Sequence, residues 1–273
     1  MAKKHISKIN LMDIVIQGPY TSFTDKILET YLPLEFINKI IVSCWEGDRD
    51  YSILPESVQK DADRVKFVKS PQYEGYAGPA NVNLQLTTCR AGVQETEAAY
   101  VAKFRSDQLY TQDSLRQMWN FWNSYAQTEK IFILGDFFTH VFHPRDWVYW
   151  GYRETMIDLF DIPDEKNFIA QGMGINSGNY GQYMNMVMRP EAYIGAHYCA
   201  RFDDRVVEML DKPQWYLYDG APRWDEAKKV SDEVMRKAFK SFSRKGIDMV
   251  WPRKDIYCFP YDPNYEKWHE EGF

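Results

Sequence analysis

In "YVAKFRSDQL", residues 100–109, an apolar run passes directly into Arg105, Ser106 and Asp107. Polar residues can simply punctuate the tip of a buried strand. They can also hold a carboxylate at the mouth of a cleft, with Lys103 and Arg105 beside it as cations. A second group is Asp136, His140, His143 and Asp146. Its first two members stand four apart and the third follows three later, a spacing that could hold a metal ion. Pro144 and the aromatic, β-rich surroundings argue against one helix carrying them all. Asp146, just before Trp147, is then either a general base or part of a surface turn. Glu191 is the rival base, although acidic residues also belong in the first turn of a helix for purely electrostatic reasons.

Further candidate groups gather at other predicted element ends. Gln17, Gly18 and Pro19 close a strand, where an amide and backbone N–H groups could read the edge of a base or merely form a tight turn. Trp45, Glu46 and Asp48 follow a second strand. An indole can stack on a base and a carboxylate can accept from ribose hydroxyls, but an acidic solvated loop has the same composition. Asn81, Asn83 and Gln85 place three amides at a helix start, which favours anions. Capping explains one of the three and does not need the others.

The elements that must position these groups alternate. "DIVIQGP" (13–19), "NKIIVSCWEGD" (38–48) and "DRVKFVKSP" (63–71) read as strands, with a helix over "SFTDKILETYLPLEF" for which Thr24 is the expected N-cap. A long helix follows from about residue 79, then a fourth strand at 100–104. Gly92 inside that helix implies close packing or a break. A helix at 113–127 and a strand at 129–137 continue the rhythm, which is that of a mostly parallel α/β sheet whose ligand crevice lies at the carboxyl ends of the strands. Beyond 143 come an aromatic strand with a short helix, a Gly/Asn-rich stretch at 162–183 expected to be a mobile lid, and a helix starting near Pro190. An amphipathic helix over 222–246, stopped by Gly246, ends the series. No repeat or composition break divides the chain, so one domain of 273 residues is expected.

Composition narrows the function classes. A formal charge of −6 with no long basic run argues against nucleic acid as a partner. No stretch of about 18 apolar residues exists to span a membrane, and the start has no signal-peptide core. Four widely spaced cysteines without a CxxC pair suggest reduced thiols in a cytoplasmic protein. Aromatics make up 16% of the chain, enough for an aromatic core with some rings left to line a cleft for bases or sugars. Hydrolase elbows and Walker sequences are missing from the sequence.

"DIVIQGPY", "KIIVSCWEGD", "NVNLQLTTCRAGV" and "YVAKFRSD", in this order, with the later "FHPRDWVYWGYRE", resemble the WavE lipopolysaccharide-synthesis family. The resemblance covers residues 12–160 best. It implies a GT-A-like fold and a glycosyltransferase acting on a nucleotide-sugar donor and a surface glycan or glycolipid acceptor. The donor half would span 1–112 and the acceptor half 113–273. On that reading Asp107 holds Mg²⁺ or Mn²⁺ against the diphosphate, as one carboxylate with phosphate oxygens and waters can. Alternatively Arg105 or Lys103 supplies the positive charge with no metal. Gln17–Pro19, Trp45–Asp48 and the Asn81/Asn83/Gln85 amides hold the donor, and Asp146 deprotonates the acceptor hydroxyl. Members of the family often carry an arginine where Leu84 stands, and Arg90 is the nearest substitute. Arg-Ser-Asp in place of Asp-x-Asp leaves a silent nucleotide- or glycan-binding protein as the other reading, and hydrolysis of the sugar nucleotide as a third.

Overall fold

The computed structural model describes residues 11–48, 54–75, 81–125, 128–135, 141–166, 190–217 and 221–251. Asp136, His140 and the 167–183 part of the expected lid lie outside the described residues.

The first strand, β1 (Met12–Gln17), is buried from Met12 to Ile16 because neighbours on both edges and helices on both faces cover it. It pairs in parallel with β2 (Ile37–Trp45) and with β4 (Tyr100–Arg105). The third strand, β3 (Val65–Ser70), extends the parallel set beyond β2. Helix α1 (Ser22–Tyr31) joins β1 to β2. Its N-cap is Thr21 rather than Thr24, and the two threonines close a reciprocal capping box. Thr24 was the expected cap; it sits three residues in, where its hydroxyl accepts from the Thr21 N–H at 3.1 Å.

The short α2 (Glu56–Gln59) lies between β2 and β3, and α3 (Val82–Gln94) runs between β3 and β4. Gly92 does not break α3. A Cβ there would lie 2.6 Å from Val15 Cγ1 and 2.8 Å from Ser43 Cβ, so the glycine lets the helix press onto β1 and β2. At the amino end of the sheet, buried Asp13 accepts from the Asn38 side chain and from the backbone N–H groups of Lys39, Glu97 and Ala98. That carboxylate ties three segments together far from the strand tips.

The second half inserts an antiparallel strand. A two-residue strand, β5 (Leu109–Tyr110), and helix α4 (Gln112–Ser124) lead to β6 (Ile131–Leu134), then β7 (Val148–Tyr152) and α5 (Arg153–Phe160). Four further elements are α6 (Pro190–Cys199), α7 (Asp204–Asp211), α8 (Pro213–Tyr216) and α9 (Trp224–Ala238). The expected helix over 222–246 ends at Ala238, because Phe239–Phe242 leaves it as β8, parallel to β6. The strand takes the open edge beside β6, where the Phe242 ring packs on Phe121 at 4.4 Å. A last short strand, β9 (Met249–Val250), pairs with β5. The seven-stranded order is β3-β2-β1-β4-β7-β6-β8, with β7 antiparallel to both neighbours.

Two apolar layers cover the faces of this sheet. The one beneath α1 and α4 is rich in aromatic rings: Phe36 stacks on Trp119 at 5.0 Å and Trp122 meets Phe132 edge-on at 4.5 Å. Cys44, Cys89 and Cys199 are buried and form no disulfide among the described residues. Among the described residues no helix is long and apolar enough to cross a membrane.

Candidate functional site

Parallel pairing fixes which strand ends meet. Gln17 is in register with Ser43 on one side and Arg105 on the other. The ladder runs one step further: Gly18 N–H donates to Ser43 at 3.1 Å and Ser106 N–H to Gln17 at 2.9 Å. Gly18 has φ +126° and a Cβ there would sit 2.5 Å from Ser106 Oγ, so only glycine fits this contact. Asp48 joins the same edge, accepting from the backbone N–H of Trp45 at 3.1 Å and of Tyr20 at 3.2 Å. The three expected strand-end groups, 17–19, 45–48 and 105–107, therefore lie together. Pro19 and Glu46 are exposed there.

Arg105 is the centre of the charged part. Its Nε and Nη2 donate to the two oxygens of Asp107 at 2.9 and 3.0 Å, and Nη1 donates to Asp146 Oδ2 at 2.6 Å. Burial works against the guanidinium charge, but both carboxylates outweigh it and hold the pKa well above its usual value. A guanidinium has five N–H groups; three are used, so two point to no acceptor among the described residues. Ser106, between the two charged residues, faces inward against Gly18.

Lys103 differs from its expected place. It is wholly buried, and its ammonium donates to the Asp146 backbone carbonyl at 3.1 Å, near the Tyr149 ring. It anchors Asp146 instead of reaching a ligand. Asn83 is likewise committed: its amide donates to the Glu165 carbonyl at 2.8 Å and accepts from the Glu165 N–H at 2.7 Å. That reciprocal pair staples the segment after α5 to the first turn of α3. Asn81 stands exposed at φ +64° and makes no side-chain cap, whereas the buried Gln85 Nε2 meets no acceptor among the described residues. Gln17 donates to Thr88 at 2.9 Å. Arg90 holds the Phe160 and Ile162 carbonyls, so it braces the end of α5.

Asp146 comes from a loop that α6 seats. A Cβ on Gly195 would run into the Phe142 carbonyl oxygen and lie 2.6 Å from Pro144 Cδ. Phe142 itself takes φ +51° and donates its N–H to Ser231 at 2.7 Å. With the loop pressed onto α6, His143 Nε2 comes within 3.5 Å of Glu191 Oε2. Burial pushes the Glu191 carboxyl up, yet His143 outweighs it and holds the group below the usual carboxylate range. A carboxylate so stabilised is a weak proton acceptor, which disfavours Glu191 as the base. Gly195 and Ser231 carry no sequence signal beyond a small residue in a helix, which is why reading the chain misses them.

Among the described residues no three His, Cys, Asp or Glu side chains gather to hold a metal. As folded, Asp107 does not fit an ion: both oxygens already take Arg105 N–H groups, and a cation would crowd a like charge.

The fold and site define an α/β protein with charged side chains gathered at the carboxyl ends of its parallel strands. The chain belongs to the WavE lipopolysaccharide synthesis family, whose model matches residues 12–230. No curated protein matches it. Solved structures similar to it include S. aureus TarS, at 8% identity and TM-score 0.43 over 84% of this chain and 43% of that one. Another is 4-diphosphocytidyl-2C-methyl-D-erythritol synthase from Anaerococcus prevotii, at 9% and 0.39 over 64% and 83%. HddC from Yersinia pseudotuberculosis complexed with GMP-PN follows at 16% and 0.36 over 57% and 81%. The chain thus spans less than half the length of the TarS chain.

Proposed function

We propose that this protein is a GT-A-like glycosyltransferase that moves a sugar from a nucleotide-sugar donor to a hydroxyl of a glycan or glycolipid acceptor. The observation that carries the proposal is Arg105, fixed by two carboxylates at the carboxyl edge with two N–H groups left to give. The donor's diphosphate would lie there, before the amino end of α3, with Gln85 as a further donor. Trp45 and the 17–19 turn would take the base. Family membership supports the substrate class.

In the transfer step the acceptor oxygen bonds to the anomeric carbon and the bond to the diphosphate breaks. The hydroxyl proton passes to Asp146, and the nucleoside diphosphate leaves. Arg105 occupies Asp146 Oδ2, and Oδ1 makes no hydrogen bond among the described residues, so Oδ1 would take the proton. Mg²⁺ or Mn²⁺ at Asp107 would require the Arg105 pair to open. The engagement of both carboxylates by one guanidinium favours a second reading, a nucleotide binder that does not turn over. A melting-temperature panel of UDP, GDP, CDP and ADP, with and without Mn²⁺, tests the donor assignment. One nucleotide should raise the melting temperature without metal. No response to any of them would reject it.

A further inference from the structure

A groove of about 550 Å³ opens at the amino edge of the sheet, the edge opposite Arg105. Its place follows from topology. Glu129 and Lys130 precede β6, which runs parallel to β4 because both are antiparallel to β7. Helix α5 starts where β7 ends, and Lys237 closes α9 just before β8. The end of α6 completes the wall. None of the residues gathered around Arg105 lines this groove.

Its cations are already balanced or held. Arg201 Nη1 lies 2.5 Å from Asp158 Oδ2, and Lys237 Nζ lies 3.8 Å from Asp203 Oδ2. Lys130 Nζ donates to the Arg236 carbonyl at 2.7 Å. With a carboxylate beside each of two cations, the groove presents no concentrated charge to draw an ion. It offers hydroxyls and an apolar ring instead. Tyr198 is only 3% exposed, yet its hydroxyl makes no hydrogen bond among the described residues. Asp158, Arg201 and Glu129, which all line the groove, are among the charges acting on that hydroxyl. Burial, with Asp158, pushes its pKa up, so it keeps its proton. A polar group so buried is costly until a ligand completes it. Thr155 stands three residues from Asp158 on α5, on the same side of the helix. The Phe202 ring packs edge-on to Tyr198 at 5.4 Å and is 43% exposed, which leaves apolar surface open.

A sugar ring fits this combination. Each of its hydroxyls both donates and accepts, so paired charges and neutral hydroxyls serve it equally well, and its C–H face covers an aromatic ring. We infer that the groove between α5 and the end of α6 is a binding site for an uncharged stretch of glycan, with Phe202 as the stacking surface and Tyr198 and Thr155 as hydroxyl partners. The inference does not depend on the transferase reading. The test titrates maltotriose, cellotriose and triacetylchitotriose into the full isotope-labelled chain and follows the backbone amides of Thr155, Arg201 and Phe202 by NMR. Inorganic phosphate, triglycine and UDP, GDP, CDP and ADP are titrated in parallel. At least one trisaccharide should shift these signals saturably, while phosphate, triglycine and the nucleotides leave them in place. Phe202→Ala, at an exposed position, should weaken that sugar about tenfold through the lost stacking surface. Tyr198→Phe should weaken it about fivefold through the lost hydroxyl. Both variants should respond to the nucleotides as the wild type does. No saturable shift from any trisaccharide, an equal shift with phosphate or triglycine, or an unchanged affinity in folded Phe202→Ala would overturn the site. Sugar binding without any nucleotide binding would keep this site and count against the transferase reading alone.

Discussion

Arg105 donates to Asp146 at 2.6 Å across 41 residues of sequence, joining the end of β4 to the loop before β7. The same guanidinium grips Asp107, two residues away, through both oxygens. One side chain thus fixes the distance between the expected donor carboxylate and the expected base.

Asp107→Asn is expected to lower the melting temperature. The amide keeps one acceptor but loses the charge and the second parallel bond. With side chains 28% and 17% exposed, the pair lies between surface bridges under about 1 kcal/mol and buried ones of about 3–5. A loss near 2 kcal/mol by denaturant unfolding is expected. No change would show that the pair does not hold in solution.

Asp146→Asn separates chemistry from binding. Nucleotide affinity should change little, because Oδ1 can still accept from Arg105, while sugar transfer falls by about 10²–10⁴-fold as a general base is removed. Transfer at the wild-type rate would assign the proton to another group.

Gly195→Ala probes the seat of the 142–146 loop. The new methyl must displace the Phe142 carbonyl or Pro144, and overpacking of this kind costs about 1–3 kcal/mol. The displaced loop should also carry Asp146 away from Arg105, so transfer falls together with stability. A variant as stable as the wild type would contradict the close approach.

His197 gives a pH dependence. Burial lowers its pKa from 6.5 to about 4, with Tyr193 packed 4.4 Å away. The folded state therefore favours the neutral ring. Its contribution is full above pH 6.5 and is lost as the pH falls toward 4, on the order of 1–3 kcal/mol. His197→Gln should flatten the melting-temperature profile over that window. An unchanged profile would mean the ring is charged at little cost.

The first half of the fold was legible because its strands are short runs rich in β-branched residues, closed by Gly18-Pro19, Gly47 and Pro71. The meeting of residues 17–19, 45–48 and 105–107 at one edge followed from the alternation of strands and helices. Three features were hidden. The helix over 222–246 hides the β8 strand, since Phe239 and Phe242 continue an apolar spacing that also suits a helix. The burial of Lys103 depends on β7 inserting antiparallel beside β4, and nothing local marks that pairing. Arg105 as the hub required Asp146 to arrive from a distant loop, and Gly195, which seats that loop, looks like any helical glycine. Asn83, expected to meet a ligand, bonds instead to the Glu165 backbone because the chain after α5 returns across the start of α3.

The central claim is that a nucleoside diphosphate lies against Arg105. Calorimetric titration of UDP, GDP, CDP and ADP into wild type and Arg105→Lys tests it most directly. Lysine keeps the charge but cannot hold both carboxylates and still give two N–H groups to phosphate. The account predicts that one nucleotide binds the wild type and that its affinity falls at least about tenfold in a folded Arg105→Lys. Equal affinity in the two proteins, or no nucleotide binding to the wild type, would contradict it.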